Sequence, residues 1–338
     1  MNELIISGIA KDLNISEKQV STVLSLLEDG NTIPFIARYR KEVTGALDEE
    51  AIRKINEVYE YQVNLLKRKE DVIRLIDEKG LLTDDLKNSI MNCSRLVEVE
   101  DLYRPYKEKK KTKATEAIAL GLEDLAKIIM SFPLTGSMED ITKKFEKDNL
   151  SSEACLEGAK YIIAEWISDN ASYRKFIRSY FYKNGIITST VKKNADDPNK
   201  TYEMYYDYSE AVKSIKPHRI LALNRGEKEK ILSVSIEANK DEVIGYLEKK
   251  LIKNNKSFVV VLVKDAINDS YKRLIEPSII REIRSDLTEI GNDAAIDNFG
   301  KNLEALLLTP PMKEQVVLAF DPGFVNGCKL AVVDKNGK

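Results

Sequence analysis

The chain has 338 residues, 43% of them apolar and 32% charged, enough for about two packed domains with a well-solvated surface. Its 53 basic and 55 acidic side chains leave a net charge of −2, so the chain as a whole does not attract a polyanion and any nucleic-acid contact must come from local clustering. The longest apolar run, Phe258–Val263, falls far short of the roughly 20 residues that cross a membrane, the stretch Met1–Leu13 lacks the layout of a secretory signal, and three scattered cysteines (Cys93, Cys155, Cys328) suit a reducing cytoplasm better than a disulfide framework.

Helical signals fill the first two thirds. Ser16 and Gln19 have the spacing of a capping box ahead of Val20, Val23, Leu24 and Leu27, and Gly30 is placed to end that helix. Pro34 suits the first turn of a short helix with Phe35, Ile36 and Tyr39 on one side, closed by Gly45. Asp48 caps a long helix whose stripe is Ile52, Ile55, Tyr59, Val63, Leu66, Ile73 and Ile76, with Gly80 after its end. Another helix is expected from Thr83 to Leu96 or beyond. Pro105 should push Arg104 out of helical space, and helical patterns resume from Ala114, over Ser137–Lys147, and from Glu153 to about Phe181. The stretch Ile186–Lys200, polar and carrying the turn signal Asp197-Pro198-Asn199, reads as a surface excursion.

Apolar and polar residues alternate over Leu232–Ala238, which argues for a half-buried strand, and a short helix follows over Asp241–Lys250. The run Phe258–Val263 fits a buried strand or a helix equally well. After Pro277 comes the strongest helical stripe (Ile280, Ile283, Leu287, Ile290, Ala294, Phe299, Leu303, Leu306), on the order of 40 Å long, a natural spine stopped by Pro310-Pro311. Two strands close the chain, one leading through Phe320 to Asp321-Pro322-Gly323, the other from Lys329 to a hairpin-type turn at Asp334–Gly337. A lone hairpin is marginal in water, so these strands are expected to pair with others outside this chain.

One histidine, His218, with three cysteines far apart in the chain, argues against a His/Cys zinc site, and it excludes a histidine-paired nucleophile with a second ligand histidine; it reads as a loop or packing residue. No glycine pattern matches a phosphate-binding loop or a dinucleotide fingerprint. Asp321, at a strand end before Pro322-Gly323, stands where RNase H-like folds place the first of several carboxylates that hold two divalent cations. One carboxylate cannot do that work, so Asp321 is at most a vestigial metal-site candidate and is read first as a turn residue. The segment 104–113 carries Arg104, Lys107, Lys109, Lys110, Lys111 and Lys113 against Glu108 alone, with Tyr103 and Tyr106 beside it. It reads first as a solvated loop with tyrosines as packing anchors, and alternatively as an RNA or DNA contact. Arg38, Arg40 and Lys41 could touch phosphate, but are read first as partners of Glu42, Asp48, Glu49 or Glu50.

Several strings now point to one family. They are Thr32-Ile33-Pro34-Phe35-Ile36-Ala37-Arg38-Tyr39-Arg40-Lys41-Glu42-Val43-Thr44-Gly45 with Leu47-Asp48-Glu49, then Glu100-Asp101-Leu102-Tyr103 with Pro105-Tyr106-Lys107, and His218-Arg219 with Leu221 to Glu227. Pro277-Ser278 with Arg281-Glu282, Asn302-Leu303 to Pro311, and Phe320-Asp321-Pro322-Gly323-Phe324 with Gly327 to Asp334 continue the series. Collinear along the whole chain, these resemble the Tex family of bacterial transcription accessory proteins. The resemblance implies a helical region with helix-turn-helix-like parts, then an RNase H-like YqgF domain, a helix-hairpin-helix module and an OB-fold that binds RNA. It implies nucleic-acid association in transcription without established catalysis. Two departures stand out: Val325-Asn326 replace a frequent Arg-Thr, and Arg104 stands where an apolar residue is common.

The expected fold class is mainly α: a multi-helical array with helix-turn-helix-like parts, a small mixed α/β portion and a C-terminal β-hairpin that begins an RNase H-like domain. The expected division is 1–130 and 131–225 as helical subdomains, 226–275 as the mixed portion, 276–312 as a connecting helix, and 313–338 as the start of the YqgF domain. The expected role is a cytoplasmic, non-enzymatic scaffold with no catalytic residues, metal or cofactor. RNA or DNA would be bound mainly by modules outside this chain, with the transcription machinery as a further partner and no membrane.

Overall fold

Helix capping sets where most of the helices begin. In the computed structural model, which describes residues 2–146, 150–310, 312–323 and 327–338, α1 (Glu3–Leu13), α2 (Glu17–Glu28), α3 (Ile33–Tyr39), α4 (Lys41–Thr44), α5 (Glu49–Asp77), α6 (Asp84–Met91) and α7 (Leu96–Tyr103) come first. They are followed by α8 (Lys113–Ala119), α9 (Glu123–Met130), α10 (Met138–Thr142), α11 (Ser152–Asp169), α12 (Ala171–Asn184), β1 (Ile186–Val191) and β2 (Asp207–Ala211). Then come α13 (Pro217–Lys228), β3 (Leu232–Glu237), α14 (Lys240–Leu251), α15 (Val260–Asp269), α16 (Glu276–Leu307), β4 (Val317–Asp321) and β5 (Lys329–Val333). Ser16, Asp48, Thr83, Thr112, Ser137 and Ser151 each accept a hydrogen bond from a backbone N–H of the turn they cap, so the first orphan donors are satisfied. The capping box at Ser16 and Gln19 forms as expected.

The chain divides into two compact units, one comprising residues up to Tyr180 with Asn239–Ile279, the other Phe181–Ala238 with residues from Ile280 on. In the first, Ile9, Val20, Val23, Ile36, Ile52 and Ile55 form one buried cluster, and Leu65, Val72, Ile76, Ile90, Val99 and Tyr103 form a second. Helix α5 serves both, and its buried face drifts between them. Leu65 and Val72 are buried where the single expected stripe had Val63 and Leu66, because two successive sets of neighbours take different faces of one 29-residue helix. Helix α11 packs against α8, α9 and α15. Gly158 permits this approach: a Cβ there would sit 2.4 Å from Leu122 Cδ1 and 3.2 Å from Ala117 Cβ.

Buried charge ties the first unit together. Arg174, fully buried on α12, donates from Nε to Asp101 Oδ1 at 2.7 Å, and Arg178 donates from Nη2 to Asp101 Oδ2 at 2.7 Å. Arg174 Nη2 also donates to Ser278 Oγ at the start of α16, at 3.0 Å.

In the second unit β1 is the middle strand of an antiparallel sheet of order β2-β1-β3, with Ile187 opposite Ile236 and Ser189 opposite Tyr208. Helix α13 packs on β3, and Ile187, Leu223, Leu232, Ile236 and Ile283 belong to the core. Strands β4 and β5 pair antiparallel, Asp321 opposite Lys329, and expose Leu318, Phe320, Leu330 and Val332.

Several expectations are corrected. The stretch from Ile186 is a strand as far as Val191: it is rich in β-branched residues and buries Ile187 and Ser189 on one face, a pattern masked by the polar tail that follows. Arg104 keeps right-handed helical angles (φ −50°, ψ −43°), because Pro105 sits in a 3₁₀ turn, Arg104–Tyr106, that starts immediately after α7. The helix after Thr83 breaks between Met91 and Leu96, and Asn170 separates α11 from α12. Phe258–Val263 leads into a helix, continued through a π turn over Ser270–Ile275 into α16. In α16, Ile283 and Leu287 are buried while Ile290, Phe299, Leu303 and Leu306 are exposed, so only the first part of the expected stripe packs within its unit. The helix expected over Ser137–Lys147 ends at Thr142; Lys147, Pro311 and the Phe324-Val325-Asn326 segment lie outside the described residues.

Removing one partner from a buried ion pair leaves an uncompensated charge. Asp101→Asn is expected to lower the unfolding free energy by about 3–5 kcal/mol in urea titrations. A loss below about 1 kcal/mol would show that this cluster does not hold α7 to α12.

Candidate nucleic-acid interface

Two groups of cations were expected, and the structure treats them differently. The first sits on the short helices α3 and α4. Gln19 Nε2 donates to Thr44 O at 3.0 Å, anchoring α4 to α2, and Gly45 ends α4 at φ +70°. Glycine suits this left-handed conformation, and a Cβ there would also displace Gln19 Nε2, which it would meet at 2.7 Å. On this support Phe35 and Tyr39 lie with ring centroids 5.2 Å apart, and the Arg40 guanidinium stands 5.2 Å from the Phe35 ring centre. Arg38, Tyr39, Lys41 and Val43 are exposed. Among the described residues no ion pair engages Arg38, Arg40 or Lys41; the expected pairing with Glu42, Asp48, Glu49 or Glu50 is not made. Asp48 instead caps α5 through Ala51 N at 2.8 Å, and Glu49 pairs with Arg53 at 2.9 Å.

The second group, in segment 104–113, is largely engaged. Lys109 lies 2.5 Å from Glu165 Oε1 and also bonds Asp169 Oδ2, with both carboxylates mostly buried on α11. Thr112 Oγ1 donates to Glu165 Oε2 at 3.2 Å. Lys113 donates to the Tyr161 hydroxyl at 3.0 Å, and Lys111 reaches Glu116 at 3.4 Å. Arg104 is half-buried; Lys107 and Lys110 are exposed and make no ion pair with the described residues. Tyr103 and Tyr106 pack into the second cluster, as anchors.

Beside this segment is a cleft of 470 Å³ lined by Pro105, Lys107, Lys109, Ile118, Glu165, Trp166 and Asp169, among others. Trp166, half-buried, was missed in the sequence reading; a bulky aromatic interrupting the Ile162, Ile163 and Ile167 stripe of α11 is the signal that could have marked it. Burial pushes the Asp169 carboxyl up from its ordinary value, against the downward pull of Lys109. Asp321 is exposed, 4.0 Å from Lys329. His218 stands exposed in the first turn of α13, so it is neither a loop nor a packing residue. No cluster of metal-ligating side chains occurs among the described residues, and no helix there is long and apolar enough to cross a membrane.

Lys109→Ala is expected to cost about 2–3 kcal/mol in urea unfolding, since two shielded carboxylates lose their cation, whereas Lys110→Ala should change stability by no more than about 0.5 kcal/mol. Because the folded pKa of Asp169 is raised, the folded chain takes up this proton first as pH falls. Its stabilising contribution is complete below about pH 4 and is lost as pH rises through the folded value. The stability of Asp169→Asn relative to the parent should therefore improve as pH rises from about 4, and a flat difference would contradict this.

Comparison with known proteins identifies the family. The family model described as Tex-like protein N-terminal domain matches residues 3–77, and that described as Tex central region-like matches residues 137–299. YdcI of Bacillus subtilis is 51% identical over 99% of the chain and 47% of its own length. The transcriptional accessory protein Tex of Neisseria gonorrhoeae is 32% identical over 98% and 44%, and the human S1 RNA-binding domain-containing protein 1 is 31% identical over 98% and 35%. The chain thus spans under half the length of each of these relatives, and within that span it belongs to the Tex family of transcription accessory proteins.

Proposed function

We propose that the chain is a non-enzymatic helical scaffold of a cytoplasmic transcription accessory protein that associates with RNA. It makes one direct phosphate contact of its own through Arg38, Arg40 and Lys41. The observation that carries this reading is the set of three cations on α3 and α4 without a carboxylate partner among the described residues, beside the exposed ring of Tyr39. Unpaired cations release counterions when they meet phosphates, and an exposed aromatic face stacks on an unpaired base. The names of the relatives support the class: one is a transcriptional accessory protein and another carries an S1 RNA-binding domain. On the same reading the first helices supply helix-turn-helix-like parts. The hairpin β4–β5, open on both faces, is the first pair of an RNase H-like sheet in which Asp321 is a turn residue without catalytic duty.

The test is binding of labelled single-stranded RNA at several salt concentrations. Replacing Arg38, Arg40 and Lys41 together by alanine is expected to weaken binding and to flatten the slope of log affinity against log salt by about 0.7 for each phosphate no longer neutralised. Tyr39→Ala should weaken it by about 1–3 kcal/mol if the ring stacks on a base. Unchanged slope and affinity in the triple variant would defeat the reading.

A further inference from the structure

We infer that the cleft between segment 105–109 and α11 binds one unpaired guanine nucleotide of an RNA strand, the base lying against Trp166 and its Watson–Crick edge meeting Glu165, Asp169 and Lys109. The inference rests on the RNA-binding reading above and adds a base-reading contact separate from the α3–α4 cations.

Size is the first argument. At 470 Å³ the cleft falls in the range of small-molecule sites and holds a single nucleotide, not a helix of protein or nucleic acid. Its walls are the second. Pro105, Ile118, Ile162 and the half-buried Trp166 form an apolar, partly aromatic surface of the kind on which an unstacked base lies.

The polar lining selects the base. Glu165 and Asp169 are acceptors when ionised, and between them the Lys109 ammonium has three protons, two directed to these carboxylates and one left over. Guanine offers the complement on one edge: two adjacent donors, N1–H and the N2 amino group, beside the O6 acceptor. Adenine and cytosine present a ring-nitrogen acceptor where guanine has N1–H, and would face a carboxylate with a lone pair. Glu165 and Asp169 disfavour a phosphate beside them, so the base edge is the part that meets them. The phosphate stays at the mouth, where exposed Lys107 lines the cleft and makes no ion pair with the described residues.

Trp166 is the one tryptophan of the chain, so its emission reports on this cleft alone. Titrating the intact chain with GMP is expected to change that emission saturably, with at least about tenfold weaker responses to AMP and CMP and an intermediate one to IMP, which lacks the N2 amino group. A short RNA with one guanine should bind about tenfold more tightly than GMP, reflecting its added phosphates. Glu165→Gln is expected to erase the preference of GMP over AMP. Should that variant fail to fold, Ile118→Glu, at an exposed position of α8 on the cleft wall, is expected to abolish the response while leaving circular dichroism unchanged. No saturable change at about 5 mM GMP, where even a millimolar site is mostly filled, would overturn the proposal. Equal responses to GMP and AMP would overturn the guanine assignment, and a response to a lysine-rich peptide without one to GMP would give the cleft to protein. These emission titrations do not involve Arg38, Arg40 or Lys41, so either reading can fail while the other stands.

Discussion

Two arginines and one aspartate, all nearly free of solvent, set the terms for the first unit. A guanidinium cannot be neutralised by losing a proton, so the burial of Arg174 and Arg178 demands an ionised partner and filled donor positions. Asp101 supplies the charge from a single carboxylate, accepting one bond on each oxygen, and Ser278 takes another of the Arg174 donors. Such a cluster adds less net stability than an apolar core of the same volume would. What it adds is geometry. The fork of each guanidinium accepts a carboxylate in few orientations, so α7 and α12 meet at one rotation about their axes and the start of α16 joins them.

That cluster also shows where sequence reading reaches its limit. Caps are local chemistry over three or four residues, and the helix starts at Ser16 and Asp48 were legible for that reason. The strand over Leu232–Glu237 was legible because one face is buried and the other is not. Asp101 and its arginines are separated by 73 and 77 residues, and no periodicity links them. A partial signal was present: Arg174, Ile177, Arg178 and Phe181 share one helical face, and two charges in a buried stripe imply a buried counter-charge somewhere else in the fold. The drift of the α5 stripe escaped notice for a related reason, since one helix facing two successive cores has no single stripe to find.

Charge behaved in the same way, with an inversion. Proximity in sequence placed Arg38, Arg40 and Lys41 with nearby acids, and left the lysines after Arg104 with Glu108 alone. In the fold the nearby acids serve α5 instead, as its cap at Asp48 and as a partner for Arg53, while Lys109 and Lys113 find Glu165, Asp169 and Tyr161 about fifty residues away. A dense run of lysines is therefore poor evidence of a free cationic surface. A sparse group carried on short helices is better evidence when the local acids are already engaged.

Locating charge this way matters for a chain whose net charge is near zero. With no long-range field to gather a polyanion, recognition depends on contacts within a Debye length, about 8 Å at physiological salt. On the reading proposed above, Arg38, Lys41 and the half-buried Arg40 between their helices supply an attraction that salt screens and that every phosphate satisfies equally. The Trp166 cleft works under the opposite conditions. Its polar groups are shielded by the segment that Lys109 pins down, so their interaction with a base edge is less screened and depends on which base is offered. One contact positions the strand and the other reads it, and the pinning of Lys109, which removes that lysine from the phosphate-binding surface, is what gives the reading site its polar lining.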